Sequence, residues 1–231
     1  MTAATVIDLD VATVRDLNAR LQALGRDSNL GPVHVRHPRG RHALAVGVSA
    51  PVDILLDGPV GYYAGGMNDG ARIVIDGNAA TGVAENMMAG LVRVRGDASQ
   101  SAGATAHGGL LVIEGNAGAR CGISLKGADI VVGGSVGHMS AFMAQSGTLV
   151  VCGDAGEALG DSLYEARLFV RGAVRSLGAD CEEKPMGAAE RALVAALLDR
   201  AGMAAIDAAS FRCFGSARRL YHFHVDNAQA Y

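Results

Sequence analysis

The chain has 231 residues, half of them apolar, so it can bury the core of one large domain or two small ones. Its net charge of -3, its 4% aromatic content and its lack of Trp argue against a nucleic-acid binder, which usually carries a basic excess and stacking side chains. No apolar run approaches the ~20 residues that span a bilayer, and the acidic N-terminus does not resemble a signal peptide. These features predict a cytoplasmic protein with neither a nucleic-acid nor a membrane partner.

The first 50 residues predict a small α/β cap. The stretches "TVIDL" and "VHVRH" have strand character. Between them, "TVRDLNARLQALG" predicts a short helix with Thr13 as its N-cap and Gly25 as its stop. A stack of repeats must be protected at its ends, so we interpret residues 1–50 as the N-terminal cap.

Residues 51–181 form a repeat with a period of 19 residues. Seven short strands each run into a glycine, and the seven glycines are equally spaced: Gly58, Gly77, Gly96, Gly115, Gly134, Gly153 and Gly172. The residues two and four positions before each glycine are apolar and would point to one side of a strand. The residue two positions after each glycine is always Ala or Val. A unit of this length is too short for a strand, a helix and two turns, but it suits one rung of a parallel β-helix.

The predicted fold class is therefore all-β: a single-stranded right-handed parallel β-helix of about seven 19-residue rungs, with a small α/β N-terminal cap and a helical C-terminal tail. With rungs ~4.8 Å apart, seven rungs make a prism ~30 Å long. The repeated glycines would serve the corners, where a positive φ or crowding excludes a side chain. Polar residues that suit the same corners are Asn78, Asp97, Asn116, Ser135 and Asp154.

One segment of the repeat resembles a phosphate-binding loop. In "LLVIEGNAGARCGIS" a strand runs into three glycines, beginning with Gly115. A phosphate loop needs a motif that is not repeated and a helix that opens after it. Neither is visible in the sequence, so Gly115 is interpreted as a corner glycine.

A second column of the repeat is apolar where a solvated face would be polar. It lies three positions before each glycine and consists of Leu55, Val74, Arg93, Val112, Val131, Val150 and Phe169. We call this column the outer stripe. A later helix of the same chain, over residues 188–201, would cover ~20 Å of the ~30 Å prism. The rest of the stripe is therefore a candidate interface with a partner.

Residues 182–231 are predicted to form a helix and a tail. The helix within "GAAERALVAALLDRAG" places Leu193, Val194, Leu197 and Leu198 on one face and ends near Gly202. In the tail, His222 and His224 have the spacing of a metal-binding pair on a strand, but no third ligand is in view. A surface pair is the favoured interpretation.

Motifs that would carry catalysis are missing from the sequence. There is no GxSxG, HExxH or phosphate-loop motif. Asp57, Asp76 and Glu114 share the column just before the corner glycine, but Arg95 and Arg171 interrupt it, as expected of a solvated edge. The cysteines are Cys121, Cys152, Cys181 and Cys213, and no two of them form the CxxC pair typical of zinc sites and clusters. Reduced thiols are expected.

The seven glycine-cornered rungs resemble the GXGXG domain at the C-terminal end of glutamate synthase large subunits. One of the subunits of formylmethanofuran dehydrogenase shares this domain. The stretches "GDSLYEARLFVRGAVRSLGADCEEKPM" and "ARRLYHFHVDNAQAY" are similar to the stand-alone, glutamate-synthase-like GXGXG subunit of N-methylglutamate synthase. This likeness covers nearly the whole chain.

The resemblance implies a subunit of a three-part enzyme that makes N-methylglutamate and ammonia from methylamine and glutamate. One partner would resemble a glutamine amidotransferase, and the other would be an FMN-binding synthase-like subunit. An amidotransferase of this type needs Cys after the initiator Met, and here that residue is Thr2. The resemblance therefore implies no catalytic, cofactor-binding or metal-binding residue in this chain, and it places FMN in a partner.

Two other functions remain open from the sequence. The chain could be the corresponding GXGXG subunit in a formyltransferase/hydrolase or formylmethanofuran dehydrogenase complex, where the partners would be a metal-dependent hydrolase and a formyltransferase. It could also be an independent β-helix enzyme such as an acyltransferase. Those enzymes usually show hexapeptide periodicity and a histidine on an extended loop, and the 19-residue period argues against them.

Overall fold

The computed structural model describes residues 4–26 and 31–219. It contains eleven strands, two α-helices and one short 3-10 helix, Ala208–Ser210. The α-helices are α1 (Val14–Gln22) and α2 (Ala188–Arg200). The strands are β1 (Thr5–Asp8), β2 (Val33–Arg36), β3 (Asp53–Asp57), β4 (Asp69–Ile75), β5 (Ala89–Val94), β6 (Leu110–Ile113), β7 (Lys126–Val132), β8 (Ser146–Val151), β9 (Arg167–Val170), β10 (Cys181–Lys184) and β11 (Arg212–Ser216). Neither α-helix is long and apolar enough to cross a membrane.

All eleven strands belong to one sheet, in the order β1 to β9 followed by β11 and then β10. Strands β1 to β9 are parallel, and from β3 to β9 residues pair with their equivalents one repeat later, as in Leu55 with Val74. The exceptions are Asp69 with Ala89 and Lys126 with Ser146, which lie beside register shifts. A second, shorter ladder of parallel bridges joins Val60, Ala79, Ala98, Ala117, Val136, Ala155 and Val174. This arrangement confirms the predicted parallel β-helix of about seven turns.

The interior of the solenoid is narrow and apolar. The residues two and four positions before each corner glycine are buried, among them Ile73, Ile113 and Leu149, each with no exposed surface. The small residues of the second ladder close the other side, with Ala79 and Ala155 each 3% exposed. The two columns meet in one continuous core, which explains why the second ladder tolerates only Ala and Val.

The N-terminal cap is part of the same sheet. Strand β2 pairs in parallel with β3, with Val33 opposite Ile54, and β1 pairs in parallel with β2. The spacing from Val33 to Ile54 is 21 residues rather than 19, and α1 is inserted between β1 and β2. Because their spacings differ from 19 residues, β1 and β2 do not appear in the 19-residue repeat.

Helix α1 closes the N-terminal end of the core. Its N-cap is Thr13, as predicted, and Thr13 and Asp16 form a reciprocal capping box. The helix ends at Gln22, so the prediction of Gly25 as its stop is wrong. The amide of Leu24 donates to the carbonyl oxygen of Leu21, and this i to i+3 bond closes the last turn before the glycine is reached.

The C-terminal end of the stack is closed by a change of strand direction. Strand β11 is antiparallel to β9, and β10 is antiparallel to β11. The sequence predicted only a helical tail here, and neither of these two strands was anticipated. Phe214 on β11 is 2% exposed and joins the interior core, so the reversed strand also covers the end of the solenoid.

Candidate interface on the outer sheet face

The predicted corner glycines stack directly on one another. From Gly96 to Gly172, the amide of each corner glycine donates to the carbonyl oxygen of the previous one, at 2.8–3.1 Å. Gly58 and Gly77 have positive φ angles of 134° and 158°, whereas the later five do not. At those five positions the cause is crowding: a Cβ on Gly153 would lie 2.7 Å from the carbonyl carbon of Gly134. A side chain is excluded because the neighbouring rung fills its space.

The predicted polar corner residues form a ladder beside the glycines. The side-chain oxygen of each accepts a hydrogen bond from the backbone amide one repeat later, at 2.7–2.9 Å. The acceptors are Asn78, Asp97, Asn116, Ser135 and Asp154. These side chains satisfy amides that the flanking strands do not reach, so their function is to hold the rungs together.

Most of the outer stripe is buried inside the chain. Its residues form one row across the sheet, each opposite the next from Leu55 to Phe169. Val112, Val131, Val150 and Phe169 have no exposed surface. They share a second core with Val194, Leu197 and Leu198 of α2 and with Cys213 of β11. The own-chain helix therefore covers this part of the stripe.

Arg93, the polar member of the outer stripe, holds the C-terminal end of α2. Its Nη2 donates to the carbonyl oxygen of Ala201 at 2.8 Å, and its Nη1 donates to Glu114 at 2.8 Å. The amides of Gly202 and Met203 bond back to Asp199 and Leu198, which completes a Schellman motif at the end of the helix. A cation at this position also opposes the partial negative charge of a helix C-terminus.

Arg93→Met is expected to lower the free energy of unfolding by about 1–3 kcal/mol, because it removes charge-assisted hydrogen bonds from a largely buried guanidinium. Amide exchange should also accelerate in the last turn of α2. The matched control is Arg95→Met, one residue after the end of the same strand. Its ion pair with Asp76 is exposed, at 51% and 45% of the two side chains, so its loss should cost about 0–1 kcal/mol. Equal losses from the two variants would contradict the assignment of Arg93 to the helix end.

Beyond Arg93 the outer stripe lies outside the core that α2 covers. Leu55 on β3 is partly exposed, whereas Val74 on β4 is 6% exposed. Both line an open groove of about 410 Å³ on the outer face of the first strands. The other lining residues are Ala4, Pro32, Val33, His34, Asp53, Ile54, Arg72 and Arg95. This groove has an apolar floor with two arginines at its sides, and we call it the outer groove.

The acidic residues of the predicted edge column form ion pairs between rungs. Asp76 lies 3.2 Å from Arg95, Asp57 lies 3.3 Å from His34, and Glu114 bonds to Arg93. The carboxylates of Asp57 and Asp76 are about half exposed. Each of the three carboxylates forms an ion pair with a basic side chain of the neighbouring rung. Together they form a solvent-exposed edge.

A group with metal-ligand atoms lies at the end of β1. Asp8, Asp10 and His37 bring their ligand atoms within 4.8 Å of one another. The hydrogen bond from His37, followed by that from the Asp10 amide, lowers the pKa of Asp8 below its ordinary value. Arg39 donates to Asp10 at 3.0 Å, so a cationic side chain already meets this carboxylate. We interpret the group as an exposed ion-pair network. The predicted pair His222 and His224 lies outside the described residues.

The cysteines are free thiols in this structure. Burial raises the pKa of Cys121 to about 12. At Cys181, burial together with the charges of Asp180 and Glu182 also raises the pKa to about 12. Burial raises the pKa of Cys152 and Cys213 as well. Because the thiolate is the nucleophile, these thiols are poorly suited to covalent catalysis at neutral pH.

The folded protein is expected to react with Ellman's reagent at pH 8 at least about tenfold more slowly than the protein unfolded in urea, because burial lowers the reactive thiolate fraction of all four cysteines. The measurement is the rate of absorbance change for the native and unfolded chain at equal concentration. A fast phase equal to one thiol per chain in the native state would contradict this expectation.

The protein is a parallel β-solenoid. Helix α2 covers part of its outer sheet face, and the outer groove is the part that remains open. The chain is 57% identical over 226 residues to Protein GlxC of Rhizobium meliloti (strain 1021), and the match covers 98% of this chain and 99% of that protein. The chain therefore belongs to the GlxC family. No protein-family model matches it, so the GXGXG resemblance rests on the repeated glycine corners.

Proposed function

We propose that this chain is a structural subunit of N-methylglutamate synthase, the enzyme that converts glutamate and methylamine to N-methylglutamate and ammonia. In this proposal it joins an amidotransferase-like subunit to an FMN-binding synthase-like subunit, and it holds no active site of its own. Membership of the GlxC family fits the glutamate-synthase-like resemblance of the sequence. FMN would be bound by the partner, with no contribution from this chain's corner glycines.

The observation that carries the proposal is the open end of the outer stripe. Helix α2 buries Val112 through Phe169, whereas at the other end of the row Leu55 is partly exposed and lines the outer groove together with the buried Val74. Exposed apolar surface in a groove commonly marks a contact with another protein. We therefore place the contact with one of the two partner subunits in this groove.

The rest of the solenoid is suited to a connecting role. From Gly77 to Gly172 the backbone amides of one rung donate to the rung before it, at 2.7–3.1 Å, either to the carbonyl oxygen of a corner glycine or to a side-chain oxygen of the polar ladder. A stack joined in this way keeps surfaces at fixed distances along its length, which an enzyme built from separate subunits requires. A wall of such a stack could border the path by which ammonia or methylamine passes between the partner sites.

The experiment is co-purification from the native host under mild conditions, with the same fraction assayed for N-methylglutamate formation from methylamine and glutamate. We expect the amidotransferase-like and flavin-containing subunits to be recovered with the chain and the activity to be present. Full activity of the two partners without this chain would contradict the proposal. Recovery of a metal-dependent hydrolase and a formyltransferase would contradict it too, and would assign the chain to a formyl-transfer complex.

The outer groove is tested in the same preparation with Leu55→Glu. This variant should lose one partner subunit while the isolated chain still folds and unfolds within a few degrees of the wild-type temperature, because Leu55 is only partly buried. The matched control is Leu177→Glu, a leucine 37% exposed near the opposite end of the stack. Loss of the partner from both variants, or from neither, would exclude the groove as the contact.

A further inference from the structure

Exposed tyrosine and methionine side chains gather on the segments that lead from the second ladder to the next strand. The first two of these segments are residues 61–68 and 80–88. On them Tyr62 is 58% exposed, Met67 is 45% exposed and Met88 is 48% exposed, while Tyr63 is partly exposed. We call these four residues the tyrosine–methionine patch. None of them lines the outer groove.

Hydrogen bonds between neighbouring rungs bring the two methionines onto one surface. The Met67 amide donates to the carbonyl oxygen of Glu85 in the next rung at 2.8 Å. The Met88 amide donates back to the carbonyl oxygen of Asn68 at 2.8 Å. The patch is therefore continuous across two adjacent rungs.

The rest of the chain holds both tyrosine rings in place. The ring of Tyr62 stacks on His42 with centroids 4.5 Å apart and planes at 24°, and the Tyr62 amide donates to His42 Nδ1 at 2.8 Å. The ring of Tyr63 lies against Gly66, where an added Cβ would come within 2.5 Å of it. Asn86 donates to the Tyr63 hydroxyl at 3.3 Å. Rings that are fixed before binding lose little conformational entropy when a partner covers them.

Two residues of the patch have a backbone conformation that disfavours bulky side chains. The φ angles of Tyr63 and Met67 are 63° and 52°, in the left-handed region. Glycine is accommodated at the position of Tyr63 one rung later, where Gly82 has a φ of 75°. A methionine that is both strained and exposed adds little to folding, and a contact outside the chain gives it a role.

The patch is almost free of charge. Residues 61–68 contain no Asp, Glu, Lys or Arg, and residues 80–88 contain only Glu85. A charged group buried against such a surface would lose its water without gaining an ion-pair partner, so the patch is complementary to an uncharged, apolar surface. Tyr and Met are enriched at the centres of protein–protein contacts, where charged residues are depleted.

We propose that the tyrosine–methionine patch binds an uncharged, apolar surface of the second partner subunit, the one that the outer groove does not hold. The identity of that partner rests on the proposed function. The patch and the outer groove have no residue in common, so each is available to hold one of the two subunits.

The first test is Met67→Glu in the co-purification from the native host. This variant should lose the subunit that Leu55→Glu retains. The matched control is Met143→Glu, at the equivalent position of a later rung, where the residue is 38% exposed and has a φ of 53°. The control should retain both subunits. Loss of the same subunit from Met67→Glu and Leu55→Glu, or no loss from Met67→Glu, would overturn the proposal.

The second test measures the oxidation of methionine by hydrogen peroxide, which gives the sulfoxide and water. Met67 and Met88 should react at least about tenfold more slowly in the purified complex than in the purified chain, because a partner covers them. Met143 should react equally in both, and the fully buried Met87 should stay unreactive. Equal rates for Met67 and Met88 in the complex and in the chain would exclude the patch as a contact.

The two tests separate the patch from the proposed function. If the wild-type chain is recovered with a hydrolase and a formyltransferase, the proposed function is wrong, yet protection of Met67 and Met88 in that complex would still support the patch. A chain recovered alone, with both methionines reactive, would overturn both. Protection that appears in the purified chain as its concentration is raised would mean that a second copy occupies the patch, and the proposed partner would be wrong.

Discussion

Gly153→Val is expected to lower the free energy of unfolding by about 3 kcal/mol or more, at the upper end of the cost of overpacking. The backbone at Gly153 is not in the left-handed region, so the cost is purely steric. A Cβ there would meet Ser135 Oγ at 2.6 Å and the carbonyl carbon of Gly134 at 2.7 Å. The backbone of the preceding rung cannot move aside without breaking the hydrogen bonds between the corner glycines. The measurement is urea unfolding followed by circular dichroism.

The matched control is Gly25→Val. Gly25 follows α1, and a Cβ built on it meets nothing within 4 Å. This substitution should change the free energy of unfolding by no more than about 0.5 kcal/mol, as is usual for open surface positions. If Gly153→Val unfolded at the same urea concentration as Gly25→Val, crowding between rungs would not be the reason for glycine at the corners.

Phe169→Ala is expected to be the most costly substitution of the outer stripe, at about 3–5 kcal/mol. Phe169 has no exposed surface and lies in the second core with Leu198 of α2 and Cys213 of β11. Its truncation opens a cavity under the helix, and both the helix and β11 then lose a contact. Thermal unfolding and amide exchange in α2 would measure the two effects.

The comparison is Leu55→Ala in the same row of the sheet. Leu55 is only partly exposed and lines the outer groove, so its truncation should cost about 1 kcal/mol in the isolated chain. In the assembled complex the same variant should weaken the partner contact. A cost for Leu55→Ala as large as that for Phe169→Ala would mean that the groove is filled by the chain itself and would contradict the proposed partner site.

Equal spacing made the central fold predictable from the sequence. Seven corner glycines and their apolar columns define the strands, the register and the narrow interior, because each rung sees the same neighbours. Where spacing is irregular the prediction was less complete. Strands β1 and β2 were predicted as strands of the cap, but their continuation of the main sheet was not, because their intervals differ from 19 residues. Strands β10 and β11 were not predicted, since they return antiparallel from a part of the chain without the repeat.

Some side chains could not be interpreted without their three-dimensional contacts. Asn68 occupies a column where later rungs have Met87 and Leu125, all fully buried. Its amide bonds to the backbone of Ala71 and Ala89, beside the bulge in β4, which no sequence pattern indicated. Arg93 looked like an interruption of an apolar stripe, yet it binds the end of a helix 108 residues later. Contacts between distant segments are not encoded in local periodicity.

Helix α2 also fixes the number of rungs that lie beneath it. Its apolar face rests on Phe169 and Val150, while its last carbonyl is held by Arg93, so its length matches a set number of rungs between β5 and β9. A whole unit of 19 residues inserted before β5 would lengthen the prism by ~4.8 Å and leave every side chain in its column. The same insertion between β6 and β8 would carry Arg93 one step away from Ala201. Whole rungs can therefore be added without disturbing the contacts of α2 only before β5.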